Sequence, residues 1–338
     1  MKYGKIAAYT ATLLLTSVGV AQVTKSGTTA AKFLSVPVGA RALGAGGAFT
    51  AIASDASALY WNPSGIARLS QNEAILSHST WLADISFNYA GIVLPMRDFG
   101  TLGIQISSVT MDDMERTTEE QPEGTGNFFG ASSMSIGVTY ARSLTDWFAI
   151  GGTVKYIRES IWNSSAGAFA VDIGTIFNTP FSGLKFGAGV SNFGQKMRIA
   201  GDDLLVQKDI SPNHGNNANI NAFLVTDYFD LPLNLRIGLA YDIINSEDEL
   251  LTVAVDAAHP NDNAEYLNVG AEHQLFGRML AIRGGYKGMG MQGTEEQYTF
   301  GGGVNYEVVS GLRGKIDYAY ESFGRLKSVQ VLTVGIIF

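Results

Sequence analysis

Apolar residues recur at every second position from about Asn72 to Phe338, and charge rarely interrupts them. Side chains of a strand alternate between two faces, so this period dictates strands with one apolar face. Gln330, Leu332, Val334, Ile336 and Phe338 share one face of the last such segment. Leu235, Ile237, Leu239 and Tyr241 alternate with Asn234, Arg236 and Asp242; Phe148, Ile150, Val154 and Tyr156 alternate with Thr153 and Lys155. A soluble sandwich would dress its polar face in Lys and Glu. Here charged residues are only 16% of the chain, against 40 glycines, 18 Phe and 14 Tyr. Tyr156, Tyr241, Tyr286, Tyr298, Tyr306 and Tyr320 fall near segment ends on the apolar face, where an interfacial aromatic girdle belongs. The expected fold is all-β: a transmembrane antiparallel β-barrel over residues 72–338.

Turn signals give the strand number. Short breaks at Thr145-Asp146, Pro180–Gly183, Asn245–Asp248, Phe276–Gly277 and Ser310–Gly311 alternate with longer polar stretches. Those stretches are Asp112–Phe128, Glu159–Ala166, Gly194–Pro232, His259–Ala264, Gly288–Glu296 and Glu321–Lys327. The pattern predicts about 14 strands, with short turns in the periplasm, long loops outside and both termini periplasmic. Gly194–Pro232 has room for its own hairpin or short helix.

Residues 1–21 carry the parts of a secretory signal: Lys2 and Lys5, the apolar run Ile6–Val20, and small residues at Gly19 and Ala21. The apolar run is too short for a spanning helix, so insertion in the bacterial outer membrane is expected through strands. The formal charge of −8, which becomes −10 without Lys2 and Lys5, argues against nucleic acid as a partner. Zero cysteines excludes disulfides, thiolate metal sites and a Cys nucleophile. The four histidines stand at no metal-ligand spacing, and no Gly-x-Ser-x-Gly elbow occurs. Gly288–Gly293 matches GxGxxG only as a string in a surface loop. No enzyme activity, cofactor or metal is expected.

Residues 22–71 stand between signal and strands, and within them Phe33–Leu69 is rich in small residues and almost uncharged. Gly44, Gly46 and Gly47 suit backbone threaded through a narrow lumen. Ala51–Leu59 allows a short helix, which Ser54 or Asp55 could cap. Asn62-Pro63 then breaks regular structure before Gly65, and Trp61 is expected to donate its indole N–H to a strand carbonyl or a lumen carboxylate.

Gly44, Gly46, Gly47, Ala48, Asp55, Ala56, Trp61, Asn62, Pro63 and Gly65 together resemble the N-terminal signature of PorV/PorQ-type outer-membrane proteins, which are related to the FadL family. Leu231–Gly238, Pro260–Asn263 and Asn268–Glu272 are similar to stretches of the same proteins. The resemblance implies a fourteen-stranded FadL-like barrel with an N-terminal hatch in the lumen. It further implies a part in type IX secretion, with secreted proteins or translocon components as partners beside outer-membrane lipid.

On the inward face, Asp172, Asp242, Asp256, Glu272, Glu307 and Asp317 are matched by Lys155, Arg236, Arg283, Lys287, Arg313 and Lys315. Opposite charges in a crowded interior are expected to pair into a network that stiffens a closed barrel. Docking or shuttling of exported proteins through the outer loops is therefore the first functional expectation. The alternative is a FadL-like transporter of hydrophobic small molecules.

Overall fold

In the computed structural model, residues 25–82, 85–209, 219–291, 293–295, 297–326 and 328–338 are described. The expected secretory signal, residues 1–21, lies outside them. Fourteen antiparallel strands close into one ring among the described residues. In chain order they are β1 (Glu73–Thr80), β2 (Ser86–Pro95), β3 (Thr101–Thr110), β4 (Ala131–Thr145), β5 (Phe148–Ile161), β6 (Ser164–Asn178) and β7 (Leu184–Gly194). They continue as β8 (Asn234–Asn245), β9 (Leu250–Pro260), β10 (Tyr266–Leu275), β11 (Leu280–Met289), β12 (Tyr298–Val309), β13 (Leu312–Ser322) and β14 (Ser328–Ile337). Closure is between β1 and β14, where Glu73 faces Ile337 and the backbones of Asn72 and Phe338 exchange hydrogen bonds of 3.1 and 3.0 Å. A closed ring has no edge, so every strand finds two partners without water.

The two faces separate as the alternation requires. On β8, Leu235, Ile237, Leu239 and Tyr241 point outward, while Ala240 and Asp242 are buried within. Tyr156 and Phe169 pack with tilted rings at the long-loop end of the outer surface, 5.2 Å between ring centroids. Trp147 and Phe177 meet edge to face at the short-turn end, at 5.3 Å.

Three expected loops are shorter than their polar composition suggested. Glu159–Ala166 is mostly strand: β5 and β6 run on to a turn of Trp162 and Asn163, with Trp162 at φ 48°. His259 and Pro260 belong to β9, and Glu321 and Ser322 to β13. Strand pairing needs no apolar alternation where the sheet rises above the hydrocarbon zone, so composition understates strand length there. Within Gly194–Pro232, Leu205–Lys208 and Ile220–Phe223 form an antiparallel hairpin, and residues 210–218 are outside the described set.

Residues 29–69 lie inside the ring and run its length. Thr29 bridges Asp230 at the long-loop end, and Arg68 bonds Asn178 at the short-turn end before the chain enters β1. Phe338 is at the short-turn end, and the expected chain start after Ala21 lies outside the described residues.

Candidate functional site

The inner segment is built from short pieces because its residues favour turns. A 3-10 turn, Lys32–Ser35, leads to helix α1 (Ala40–Gly44), then to turns through Thr50, to helix α2 (Ala58–Trp61), and to a 3-10 stretch, Pro63–Arg68. The predicted helix over Ala51–Leu59 shrinks to α2. Asp55 does not cap it from the N-cap position; its Oδ1 accepts from the backbone N and the hydroxyl of Ser57 at 2.9 and 2.5 Å. Asn62 leaves the helical region (φ −158°, ψ 102°) and its side chain caps the 3-10 stretch by accepting from Ser64 N at 3.2 Å. Trp61 donates its indole N–H to Val38 O at 2.8 Å, a carbonyl of the inner segment itself and not of a strand.

The glycines of the wall explain the seat of this segment. Added Cβ atoms on wall glycines would meet inner-segment atoms around the ring: Gly103 against Leu59, Gly151 against Pro63, Gly174 against Asn62, Gly187 against Thr50, Gly270 against Ala45 and Gly285 against Gly46. Gly44 and Gly301 bring their backbones together in the same way, with 3.0 Å between an added Cβ and the partner Cα. A belt of glycines thus receives backbone where other residues would exclude it. Gly46 and Gly47, both at φ 69°, turn the chain at this contact. Gly65 packs against Ala53 O and Ala58, where a side chain would collide.

Among the described residues the inward charges fall into several groups. Arg41 joins the inner segment to the wall: its guanidinium meets Asp55 at 2.9 Å and Glu272 at 2.8 Å. Glu272 also accepts from Arg283 at 2.6 Å, and Arg283 reaches Asp317 at 2.6 Å. Lys315 pairs with Glu73 at 2.8 Å, Lys155 with Asp172 at 2.8 Å, Asp242 with Lys185 at 2.8 Å, and Lys287 with Glu321. Asp256 accepts from the backbone N–H groups of Phe49 and Thr50 at 2.9 and 2.8 Å, so it holds the inner segment rather than a cation. Arg236 has no carboxylate within 4 Å among the described residues; it lies over Trp61 and Tyr60, 5.0 and 5.6 Å from the ring centroids. Glu307 and Arg313 are exposed near the β12–β13 turn, outside the pairing.

Sequence reading missed Arg41, Glu73, Lys185 and Glu321 as partners. Arg41 sits in a segment without strand period, so alternation gave no direction for its side chain. The others lie at strand ends, where the alternating pattern is weakest.

Above the glycine belt, toward the long loops, lies a cavity of about 280 Å³. Its walls mix Tyr60, Trp61, Trp81 and Met291 with Arg236 and Asp256. The volume is near the about 300 Å³ at which small-molecule pockets begin, so it encloses a compact ligand and not a long chain. Among the described residues no group of three or more His, Asp and Glu has metal-binding geometry.

The architecture matches solved membrane channels. A monoaromatic hydrocarbon channel, CymD, aligns over 89% of this chain and 97% of its own with a TM-score of 0.57 at 12% identity. The fold is that of the FadL-like transporters. The Pseudomonas putida toluene transporter TodX aligns over 89% and 97% with a TM-score of 0.55 at 12% identity. A Pseudomonas aeruginosa FadL homologue aligns over 89% and 98% with a TM-score of 0.53 at 12% identity. In sequence, the family model described as an uncharacterised protein family, UPF0164, matches residues 7–128. No curated protein matches the chain. The outer membrane is where a barrel of this fold resides.

These matches overturn the PorV/PorQ reading and, with it, type IX secretion and protein partners. The signature that carried the reading has a more general cause. Gly44, Gly46, Asn62 and Pro63 are the residues that touch wall glycines, so the motif records an inner segment seated in a FadL-like barrel. It carries no information about docking at the surface.

Proposed function

We propose that the chain is an outer-membrane channel for small hydrophobic molecules, with residues 22–71 as a hatch in the lumen and residues 72–338 as the wall. The observation that supports this most is the cavity beside Tyr60, Trp61 and Trp81 in a lumen that the inner segment occupies. A wide diffusion pore for polar solutes would need free space along the axis, where the inner segment instead packs against wall glycines. A ligand in the cavity meets Trp61 and Tyr60, whose rings lie under Arg236, in a site of about 280 Å³, which suits a molecule of one ring or similar size. The solved structures of like fold include toluene transporters and a monoaromatic hydrocarbon channel, which supports the same substrate class. The short turns and Phe338 belong to the periplasm in this reading, and the long loops to the cell surface.

Ligand-observed fluorine NMR with a fluorinated toluene and purified protein tests the proposal. Line broadening that unlabelled toluene reverses, and that Ala258→Phe weakens about tenfold by filling the cavity, is the expected result. No broadening by the wild-type protein at millimolar ligand would refute it.

A further inference from the structure

The outer surface of the barrel is not apolar to the same height all round. Each outward position takes up two residues, roughly 6.6 Å of strand, or about 5 Å of height at the usual barrel tilt. An apolar band about 25 Å tall therefore needs about five outward positions on each strand. On β8, Leu235, Ile237, Leu239, Tyr241 and Ile243 supply them. On β1, Ala74 and Leu76 begin the band from the short-turn end, and then His78 and Thr80 face outward where apolar residues belong.

The break crosses four neighbouring strands. His78 stands opposite Asn88 of β2, and Asn88 opposite Ser108 of β3. Thr80, one outward position higher, faces Ser86 on one side and Gln330 of β14 on the other. His78 Nδ1 and Asn88 Oδ1 are 2.8 Å apart. At the edges the rows turn apolar again: Tyr320 of β13 stands opposite Gln330, and Met134 of β4 opposite Ser108. Below the break, the same four strands are hollow. The small side chains of Ala74 and Ala90 leave a groove of about 410 Å³ among Ile92, Ile104, Ile106 and Ile336. Leu76, paired with Ala90, stands beside it and is 67% exposed.

We infer that this face, β14 with β1 to β3, docks a second copy of the chain about a twofold axis along the membrane normal. Polar side chains at hydrocarbon depth are stable where they meet other polar groups, and lipid tails offer none. All copies insert with their short turns on the same side, so such an axis brings His78, Asn88 and Ser108 of both copies to one level. Knob and hole lie on a single patch, as a twofold requires: Leu76 of each copy enters the groove of the other. Four strands give a face roughly 19 Å wide and 25 Å tall, about 480 Å² on each copy. Two copies together reach the about 1,000 Å² at which specific interfaces begin. The inference rests on the barrel and its seat in the outer membrane, and stands whether or not the cavity conducts.

The chain has no cysteine, so single engineered thiols report cleanly. Leu76→Cys, Asn88→Cys and, on the opposite wall, Leu239→Cys are oxidised with copper phenanthroline in native outer membranes. Leu76→Cys or Asn88→Cys should give a product of twice the chain mass at least fivefold more than Leu239→Cys does. The wild type in lipid nanodiscs should have the mass of two chains by mass photometry. Ala90→Phe, which fills the groove, and Leu76→Ala, which removes the knob, should each weaken the dimer about tenfold. Heat-modifiable migration confirms that each variant is a folded barrel. A single-chain mass for the wild type, or a linked product from Leu239→Cys equal to the others, overturns the inference. A mass of three or more chains overturns the twofold.

Discussion

Arg41 grips Glu272 with two parallel hydrogen bonds, Nε to Oε2 at 2.9 Å and Nη2 to Oε1 at 2.8 Å. One partner belongs to the inner segment and the other to the wall, so this fork fastens the two. Glu272 also carries Arg283, so neutralising it leaves Arg41 with Asp55 alone and Arg283 with Asp317 alone. Stranding a buried charge completely costs about 3–5 kcal/mol. Because each arginine keeps one carboxylate, Glu272→Gln should lower stability by less, about 1–3 kcal/mol, in urea unfolding followed by heat-modifiable migration. A loss below about 1 kcal/mol would show that the fork fastens nothing.

The glycine belt makes a paired prediction on neighbouring residues. A methyl on Gly285 meets the backbone of Gly46, whereas one on Gly284 has Thr299 O as its nearest neighbour, at 4.0 Å. Gly285→Ala should destabilise by about 1–3 kcal/mol, as overpacking does. Gly284→Ala should stay within about 0.5 kcal/mol of wild type. Equal effects in the same unfolding assay would deny that the belt seats the inner segment.

Asn62 binds both sides of that seat through one amide, donating to Thr50 O at 2.8 Å and to Thr175 O of β6 at 3.0 Å. Its removal leaves buried carbonyls unmet, worth about 1–3 kcal/mol each. Asn62→Ala should speed hydrogen exchange at Ser64, whose N–H loses its acceptor, while Asn72 N–H at the β1–β14 closure stays protected. Uniform loss of protection would mean that the whole barrel, and not the inner segment, depends on Asn62.

Acid should release one loop tie above the cavity. Glu295 accepts from Arg325 N at 3.1 Å and Nε at 2.7 Å, and these bonds hold its carboxyl below the ordinary carboxylate value. A carboxyl lowered in the folded state contributes above its unfolded pKa, about 4.3, and the contribution is lost as pH falls through the lowered value. Protection of the Arg325 amide should hold from pH 8 to 5 and fall below about pH 4. A fall near neutral pH would place another group in control.

The alternation of Leu332, Val334 and Ile336 made the barrel readable, because lipid outside and crowding inside enforce a period of two on every strand. The inner segment was readable as a plug from its glycines and Asn62-Pro63, but not its partners. Contacts such as Gly174 with Asn62 join residues 112 positions apart through shape alone, and shape leaves no local period. The bulge at Asn192 was invisible for a related reason. A bulge is an exception to the alternating pattern, and Asn192 reads in sequence as the edge of a long loop. The functional error came from taking the hatch residues as a PorV/PorQ signature and carrying that family's secretion role to the outer loops, when the fold is that of FadL-like transporters.

Selectivity in whole cells tests the central claim most directly. Initial uptake of toluene and of glycerol is measured in cells with and without the protein, at equal expression of Gly285→Ala as a loosened comparison. A channel selective for small hydrophobic molecules predicts a rise of at least tenfold for toluene and none for glycerol in the wild type. A parallel rise of both solutes in the wild type would show an open pore and contradict the account.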